Sequence, residues 1–166
     1  MQITIDQERL GRITELKSGA HSGIGAGACI MEAAAYIAGE KWSDHPECVC
    51  PVIGAFMRSW NDSLPDSDRT VLLMPILTKV VGTRSTKEVE ERRSYMAVDW
   101  FIRTHTPRWL RLAGLNDQAV LIESLPKITG FAQIPSIRAP LEAVRKDATA
   151  AWDAARAAAW DAARAA

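Results

Sequence analysis

Apolar residues recur along most of this chain at the three- and four-residue spacing of a helix face, and runs that alternate β-branched with polar residues are nearly absent. This periodicity predicts an all-α fold, a compact multi-helix bundle. One helix is predicted over 28–38, with Gly39 suited to a left-handed C-terminal cap, and another begins at Pro51, which suits a first helical position. Further helices are predicted over 68–81, 85–104, 107–113 and 116–125. The apolar run at 71–77 is expected to be buried throughout.

The C-terminal part is distinguished by its alanine and tryptophan content. From Pro140 onward it is predicted to form one long helix, ending in two copies of the octad Ala-Ala-Trp-Asp-Ala-Ala-Arg-Ala, at 150–157 and 158–165. The chain is thereby divided into a helical core domain, 1–135, and an Ala/Trp-rich C-terminal helix, 136–166, packed on the core or on another subunit. Three interpretations stay open: the last helix of the bundle, an oligomerisation helix, or a frayed tail.

Two side-chain features of this helix follow from the octads. Trp152 and Trp160 lie on adjoining stripes, and each is expected to bury a large area. In each octad the Asp precedes the Arg by three residues, as in Asp153 and Arg156, and this spacing predicts an ion pair. Alanine covers the remaining surface and permits close approach by another helix, so a homo-oligomer is expected.

Composition and charge exclude several broad classes. The chain has 166 residues, of which 48% are apolar and 24% charged, and its formal net charge is zero. No binding to a nucleic-acid polymer through overall charge is expected, and no apolar run reaches the roughly 18 residues of a membrane span. The three cysteines are an odd number in a chain large enough to fold without disulfides, so a cytoplasmic location with reduced thiols is expected.

A glycine-rich stretch leads directly into the helix predicted at 28–38. It contains His21, Ser22 and Gly25, and it ends at Cys29. Small residues let backbone amides approach a ligand, and a helix start carries partial positive charge, so a phosphate or carboxylate could bind there. The same environment would favour the thiolate of Cys29. The alternative is a flexible lead-in to a packed helix, since no Gly-Lys-Ser/Thr follows.

The second polar region is the stretch from Trp42 to Pro51. His45, Cys48 and Cys50, joined by Cys29, are the residue types that bind zinc, but their spacing is not that of a specific zinc motif. We expect no metal and no cofactor, and interpret these groups as a structural turn. A hydrolase that uses Cys29 as nucleophile, with His21 or His45 as base and Asp44 to orient it, is an alternative.

Polar side chains in the predicted loops suggest a binding site for a small anion. Arg binds phosphate well, and loops on a rigid scaffold often carry function. We predict that the ligand contacts a set drawn from both polar regions and from later loops: His21, Ser22, Gly25, Glu32, Ser43, Asp44, His45, Asn61 and Arg84. Glu32 is expected to face the ligand, or to pair with Arg58 or Arg84.

The helix predicted at 28–38 separates the two polar regions. At about 1.5 Å per residue it is roughly 16 Å long, so the glycine-rich loop and the Ser43-Asp44-His45 turn are expected at its opposite ends. Within one chain they would not share a small ligand. A dimer of antiparallel chains that brings unlike ends together is one solution, and a site using one loop with Arg84 and Asn61 is the other.

Several strings resemble a family of bacterial and phage proteins with no established activity. They are C-x-M-E-A-A-A-Y-x-A-G-E-x-W-S-D-H-P at 29–46, followed by Pro-Val-Ile at 51–53, Ser-Trp-Asn-Asp at 59–62, Val-Gly-Thr-Arg at 81–84 and Thr-Pro-x-Trp-Leu at 106–110. The octads are similar in composition to alanine-rich helices of bacterial immunity proteins.

These resemblances widen the range of functions to be considered. The phage context suggests a counter-defence protein that sequesters a nucleotide signal of the host. A binding protein for a small anionic, nucleotide-like ligand is therefore the first expectation. A protein-interaction module, such as an immunity or anti-defence factor that docks through its Trp/Ala helix, is the alternative, and the hydrolase is the second alternative.

Overall fold

A computed structural model describes residues 4–165, except for the side chains of 161–163 and 165. This part of the chain is helical and contains no strand, so the predicted all-α fold is confirmed. The helices are α1 (Gln7–Gly11), α2 (Ile30–Ile37), α3 (Pro51–Ser63), α4 (Asp66–Val80), α5 (Lys87–Trp100), α6 (Thr106–Leu112), α7 (Asn116–Ser124) and α8 (Ile134–Ala165).

Backbone contacts divide the chain into two compact units, one ending at Glu90 and the other beginning at Glu91. The division falls inside α5. The boundary expected between 135 and 136 lies within the second unit, close to the start of α8 at Ile134. The long C-terminal helix is present, and it begins earlier than the expected Pro140, which lies within it.

The first unit is organised around α2, which is buried almost completely. Ile30, Met31 and Ile37 are fully enclosed, and the alanines between them allow neighbouring helices to approach closely. The helix begins later than predicted because Cys29 is its N-cap. It ends as predicted before Gly39, whose φ of +74° is the left-handed conformation that favours glycine.

Helix α4 covers the first unit with only one of its faces. Leu73 and Leu77 are fully buried, whereas Val71 is 72% exposed and Leu72 is 45% exposed. The expectation that the whole run at 71–77 is buried is therefore wrong, because helical rotation turns part of a continuous apolar run towards solvent. Pro75 lies on an exposed position inside this helix and does not end it.

The second unit has its own core, built by α6, α7 and the first part of α8. Its buried residues are Leu110, Ala119, Ile122, Leu125, Ile128, Ile137 and Val144. The carboxylate of Asp99 supports this core, because it accepts a hydrogen bond from the amide of Ile128 at 2.8 Å and pairs with Arg103 at 3.2 Å. Asp99 and Arg103 have the i,i+4 spacing that brings two side chains together on one helix face.

A π-helical segment, Phe101–His105, joins α5 to α6. The imidazole of His105 stacks on Trp100, with ring centroids 5.2 Å apart, and lies 5.4 Å from Phe101. Nε1 of Trp109 donates a hydrogen bond to Nε2 of His105 at 2.9 Å. The segment therefore groups aromatic side chains on the surface of the second unit.

The tryptophans of the two octads of α8 lie on the surface of the chain. Trp152 is 69% exposed and Trp160 is 58% exposed, so within one chain neither tryptophan buries the large area that was expected. Asp153 and Arg156 make no ion pair, although their spacing predicted one. The Asp of the second octad lies outside the described side chains.

Candidate functional site

The carboxylate of Glu32 ties the glycine-rich loop to the start of α2. This side chain is 2% exposed and accepts three hydrogen bonds. Its Oε1 lies 2.6 Å from the amide of His21, and its Oε2 lies 2.8 Å from both the amide of Cys29 and Nδ1 of His21. The expected pairing of Glu32 with Arg58 or Arg84 is wrong, because Glu32 turns back on its own helix start.

These hydrogen bonds determine the charge of Glu32. Burial alone raises the pKa of the carboxyl, but donation by the Cys29 and His21 amides and by the His21 ring outweighs burial, and the pKa is lower than usual. Glu32 is thus an anion at neutral pH. It occupies the positive end of α2, where the sequence predicted a bound ligand.

Cys29 is the N-cap of α2 and completes a capping box with Glu32. Its Sγ accepts a hydrogen bond from the amide of Glu32 at 3.4 Å. The predicted thiolate is wrong, because burial raises the pKa of Cys29 to about 11 and the neighbouring carboxylate adds to this effect. With 3% of its surface exposed, Cys29 is a protonated structural group and not an activated nucleophile at neutral pH.

Asn61 is the other internal partner of this helix start, and it is fully buried. Its Oδ1 accepts from the amide of Ile30 at 3.2 Å. Its Nδ2 donates to the carbonyl of Lys17 and to Asp62, both at 2.9 Å. The guanidinium of Arg69 donates to the Asn61 carbonyl at 2.8 Å. The structure thus places Asn61 inside the first unit, where it holds α2 and α3 together.

The glycine-rich loop makes room for these contacts at Gly27. Its φ is +117°, and a Cβ there would lie 2.7 Å from Cδ of Lys17 and 3.1 Å from the His21 ring. Ser22 is exposed, and Gly25 borders a separate cavity of about 150 Å³ that Arg12 and Lys17 also line.

The two polar regions touch within one chain, contrary to the expected separation. Nε1 of Trp42 donates to the carbonyl of His21 at 2.7 Å. This contact is possible because α2 has only eight residues, about 12 Å, and the indole folds back along it. The cavities that the two regions line nevertheless differ.

Ser43, Asp44 and His45 form an exposed turn after α2. The hydroxyl of Ser43 accepts from the amide of His45 at 3.0 Å. Oδ1 of Asp44 lies 2.7 Å from Nδ1 of His45, an arrangement that holds the ring and leaves Nε2 on its far side. The side chain of His45 is 67% exposed.

Two cavities meet at this turn, since His45 and Pro46 line both. The smaller has a volume of about 160 Å³ and is bordered by His45, Pro46, Val49, Cys50, Pro51, Gly54, Arg58 and Arg84. The larger has a volume of about 380 Å³ and is bordered by Glu40, Lys41, Ser43, His45, Pro46 and Glu47. We refer to them as the arginine cleft and the outer cavity.

The guanidinium of Arg58 is held by a backbone carbonyl, and that of Arg84 by a carboxylate. Nη1 of Arg58 donates to the carbonyl of Asp44 at 2.9 Å, which links α3 to the turn. The amide of Arg84 donates to the carbonyl of Cys48 at 3.0 Å, and its Nε pairs with Glu90 at 3.1 Å. Each guanidinium thus retains N–H groups beyond those that these bonds use.

Helix α3 begins at this cleft without a capping side chain. Its N-cap, Cys50, makes no side-chain hydrogen bond to the first turn, and Pro51 occupies the first helical position. The amide of Cys50 donates to the hydroxyl of Thr83 at 3.1 Å. The first turn of α3 therefore has no internal anion of the kind that Glu32 supplies to α2.

The cysteines and histidine considered for zinc are not assembled as a metal site. In residues 4–165, no group of three His, Cys, Asp or Glu side chains is placed to hold a metal ion. Burial, together with a hydrogen bond involving Glu40, raises the pKa of Cys48 to about 11, so this thiol stays protonated at neutral pH.

The sequence prediction missed Arg58 as a site residue, although it identified His45 and Arg84. One signal was available: Arg58 lies four residues after Gly54 and seven after Pro51, a spacing that places all three on one helix face. A Cβ at Gly54 would lie 3.4 Å from Nη1 of Arg58, so the absence of a side chain at 54 lets the guanidinium lie along α3.

Comparisons with known proteins do not assign a function to this site. No protein family, curated protein or solved structure matches the chain. In the part that the structure describes, no helix is both long and apolar enough to cross a lipid bilayer.

Proposed function

We propose that the protein binds a small anionic ligand through a phosphate or carboxylate group in the arginine cleft. The observation that carries this proposal is the uncapped start of α3, facing a cleft lined by Arg58, Arg84 and His45. Guanidinium groups bind oxyanions through charge-assisted hydrogen bonds, and the partial positive charge of the helix start favours an anion nearby.

The sizes and charges of the two cavities narrow the ligand class. A volume of about 160 Å³ suits one compact anionic group, and the outer cavity, about 380 Å³, leaves room for the rest of the ligand. Glu40 and Glu47 outnumber Lys41 in the outer cavity. A second phosphate there would meet carboxylates, so we favour a ligand with one anionic end and a neutral polar remainder, such as a nucleoside monophosphate.

Calorimetric titration with inorganic phosphate and with adenosine monophosphate tests this proposal. Arg58→Met and Arg84→Met should each raise the dissociation constant about tenfold, equal to about 1.4 kcal/mol. Arg12→Met, at the cavity beside Gly25, is the matched control and should leave binding unchanged. Absence of binding by the wild type, or loss of binding only in Arg12→Met, would contradict the assignment.

A hydrolase is the second candidate, and the Asp44–His45 contact favours it. The carboxylate orients the imidazole, so Nε2 of His45 could take a proton from a water molecule that attacks a bound ester. Cys29 is not part of this version, because it is buried and protonated. Phosphate release from adenosine monophosphate, lost in His45→Gln while binding persists, would favour hydrolysis; binding without release would favour a binding protein.

The proposed biological role of this binding, in phage counter-defence, rests on the family resemblance. A phage-borne protein with this cleft would sequester a nucleotide signal of its host, and an interaction module would instead use the exposed aromatic side chains of the second unit. Homo-oligomerisation through the C-terminal helix is compatible with either function.

A further inference from the structure

We propose that a second copy of this chain docks on the second unit by placing the indole of its Trp160 in the groove between α6 and α8. The groove has a volume of about 370 Å³ and is almost entirely apolar. Trp109 and Leu110 line it from α6, and Ala151, Trp152 and Ala155 line it from α8. This inference is independent of the proposed anion site, which lies in the first unit.

The walls of the groove are unusually exposed for large aromatic side chains. Trp109 is 62% exposed and Trp152 is 69% exposed. Contiguous exposed apolar surface is rare on monomeric proteins and marks interaction sites, and tryptophan is the residue most enriched among those that dominate binding energy. Burying the two indoles against a partner would therefore be energetically favourable.

The repeated octad identifies what covers it. The first octad supplies Ala151, Trp152 and Ala155 to one wall of the groove, across from Trp109 and Leu110 of α6. The second octad repeats the same residues in the same order. Its Trp160 is 58% exposed. A second copy thus presents, at its exposed Trp160, the same residue sequence that lines this groove.

Charge fixes the direction and register of the contact. Trp152, Arg156 and Trp160 are spaced four residues apart and lie on adjoining stripes of α8, with Asp153 next to Trp152. If two such helices pack antiparallel about a two-fold axis near Ala155, Trp160 of each copy lies beside Ala151 and Trp152 of the other. The same register brings Asp153 of one copy to Arg156 of the other, which satisfies two groups that make no ion pair within the chain.

The groove is held in shape before any partner arrives. The hydrogen bond from Trp109 to His105, 2.9 Å long, fixes the indole that forms one wall. His105 is itself fixed by stacking on Trp100, with centroids 5.2 Å apart. Because the side chain that receives the partner is already ordered, docking loses little conformational freedom.

Sedimentation velocity on the full chain tests the proposal. The wild type should be a dimer, and Trp160→Ala and Trp109→Ala should each raise its dissociation constant at least about tenfold. Phe131→Ala removes an aromatic side chain of the same unit, 74% exposed and outside the groove, and should leave the dimer intact. A wild type that is a monomer, or a dimer that Trp160→Ala does not weaken, would overturn the proposal.

Mixing Trp160→Ala with Trp109→Ala distinguishes the loss of this specific contact from a general loss of apolar surface. Trp160→Ala keeps the groove and Trp109→Ala keeps the inserted indole, so a mixed dimer retains one complete contact while each variant alone retains none. Mixed dimers should therefore form more tightly than either homodimer. If the mixture associates no better than the separate variants, insertion into the groove is wrong. Phosphate titration of the same samples should be unchanged, and its failure would bear only on the arginine cleft.

Discussion

Helices α2 and α3 of the first unit share a cysteine as N-cap but differ in the chemistry of the first turn, above all at its third position. Each has a cysteine as N-cap, followed in α2 by Ile30-Met31-Glu32 and in α3 by Pro51-Val52-Ile53. At the third helical position α2 has a carboxylate that reaches back to its N-cap amide, whereas α3 has an aliphatic side chain. The partial positive charge of a helix start is thus neutralised within the protein at α2 and left uncapped at α3.

The surroundings of the two helix starts follow this difference. At α2, the glycine-rich loop is tied to the helix start through Glu32, and the side chains of Asn61 and Cys29 accept hydrogen bonds from the first-turn amides. At α3, the neighbouring groups are Arg58, Arg84 and His45, of which Arg84 pairs with Glu90, His45 contacts Asp44, and Arg58 donates to a backbone carbonyl. A glycine-rich stretch before a helix can therefore serve packing, while the adjacent helix offers the binding surface.

Substituting Glu32 with Gln should give the largest effect on stability. The amide side chain loses one acceptor and brings a donor towards the Cys29 and His21 amides, so we expect the free energy of unfolding to fall by about 3 kcal/mol. Urea unfolding measures this change. Phosphate binding at the arginine cleft should persist, and its loss would show that the two helix starts are not separate in function.

Acid unfolding provides a second test of the contribution of Glu32 to stability. Because the folded pKa of Glu32 lies below its ordinary value of 4.5, the stabilisation is present above that pH and is lost as the pH falls through the folded pKa. The wild type should lose stability in this range more steeply than Glu32→Gln.

Gly27→Ala tests whether the glycine-rich loop is a packing element. A φ of +117° is strained for alanine, and the new methyl group would meet Lys17 and the His21 ring, so we expect a loss of about 2 kcal/mol in thermal or urea unfolding. Gly25→Ala is the matched control, because nothing lies within 4 Å of its Cβ position. Equal stability of the two variants would argue that the loop is not held by these contacts.

Ile53→Glu would convert the start of α3 into a copy of the start of α2. The new carboxylate should occupy the first-turn amides and face Arg58 and Arg84, and thereby weaken phosphate binding about tenfold, or about 1.4 kcal/mol. Ile53→Gln controls for the loss of apolar packing, since it has the same length without the charge. Unchanged phosphate affinity in Ile53→Glu would place the anion elsewhere.

Local sequence signals predicted the helices well because each depends on residues close in the chain. The proline at the first position of α3, the glycine after α2 and the apolar periodicity all act within a few turns. Depth of burial was predicted less well. Val71 and Leu72 are exposed because the orientation of α4 depends on its tertiary neighbours, and a continuous apolar run does not specify which residues face them.

The candidate site was only partly predictable for a similar reason. His45 and Arg84 were identified by residue type, and both line the arginine cleft. Glu32 and Asn61 were predicted as ligand contacts for the same reason. Their partners are instead backbone groups that folding brings near, and the spacing of residues in the sequence does not reveal such partners. Arg58 was overlooked because its role depends on a turn that precedes it by fourteen residues.

The π-helical segment at Phe101–His105 has a consequence for how this protein tolerates length changes. One extra residue in that turn sets the phase between α5 and α6 and places His105 five residues after Trp100, yet in stacking contact with it. Deleting a single residue before His105 would rotate all that follows by about 100° and separate the imidazole from the indole of Trp100. Insertions and deletions in this turn should therefore be far less tolerated than substitutions of its exposed side chains.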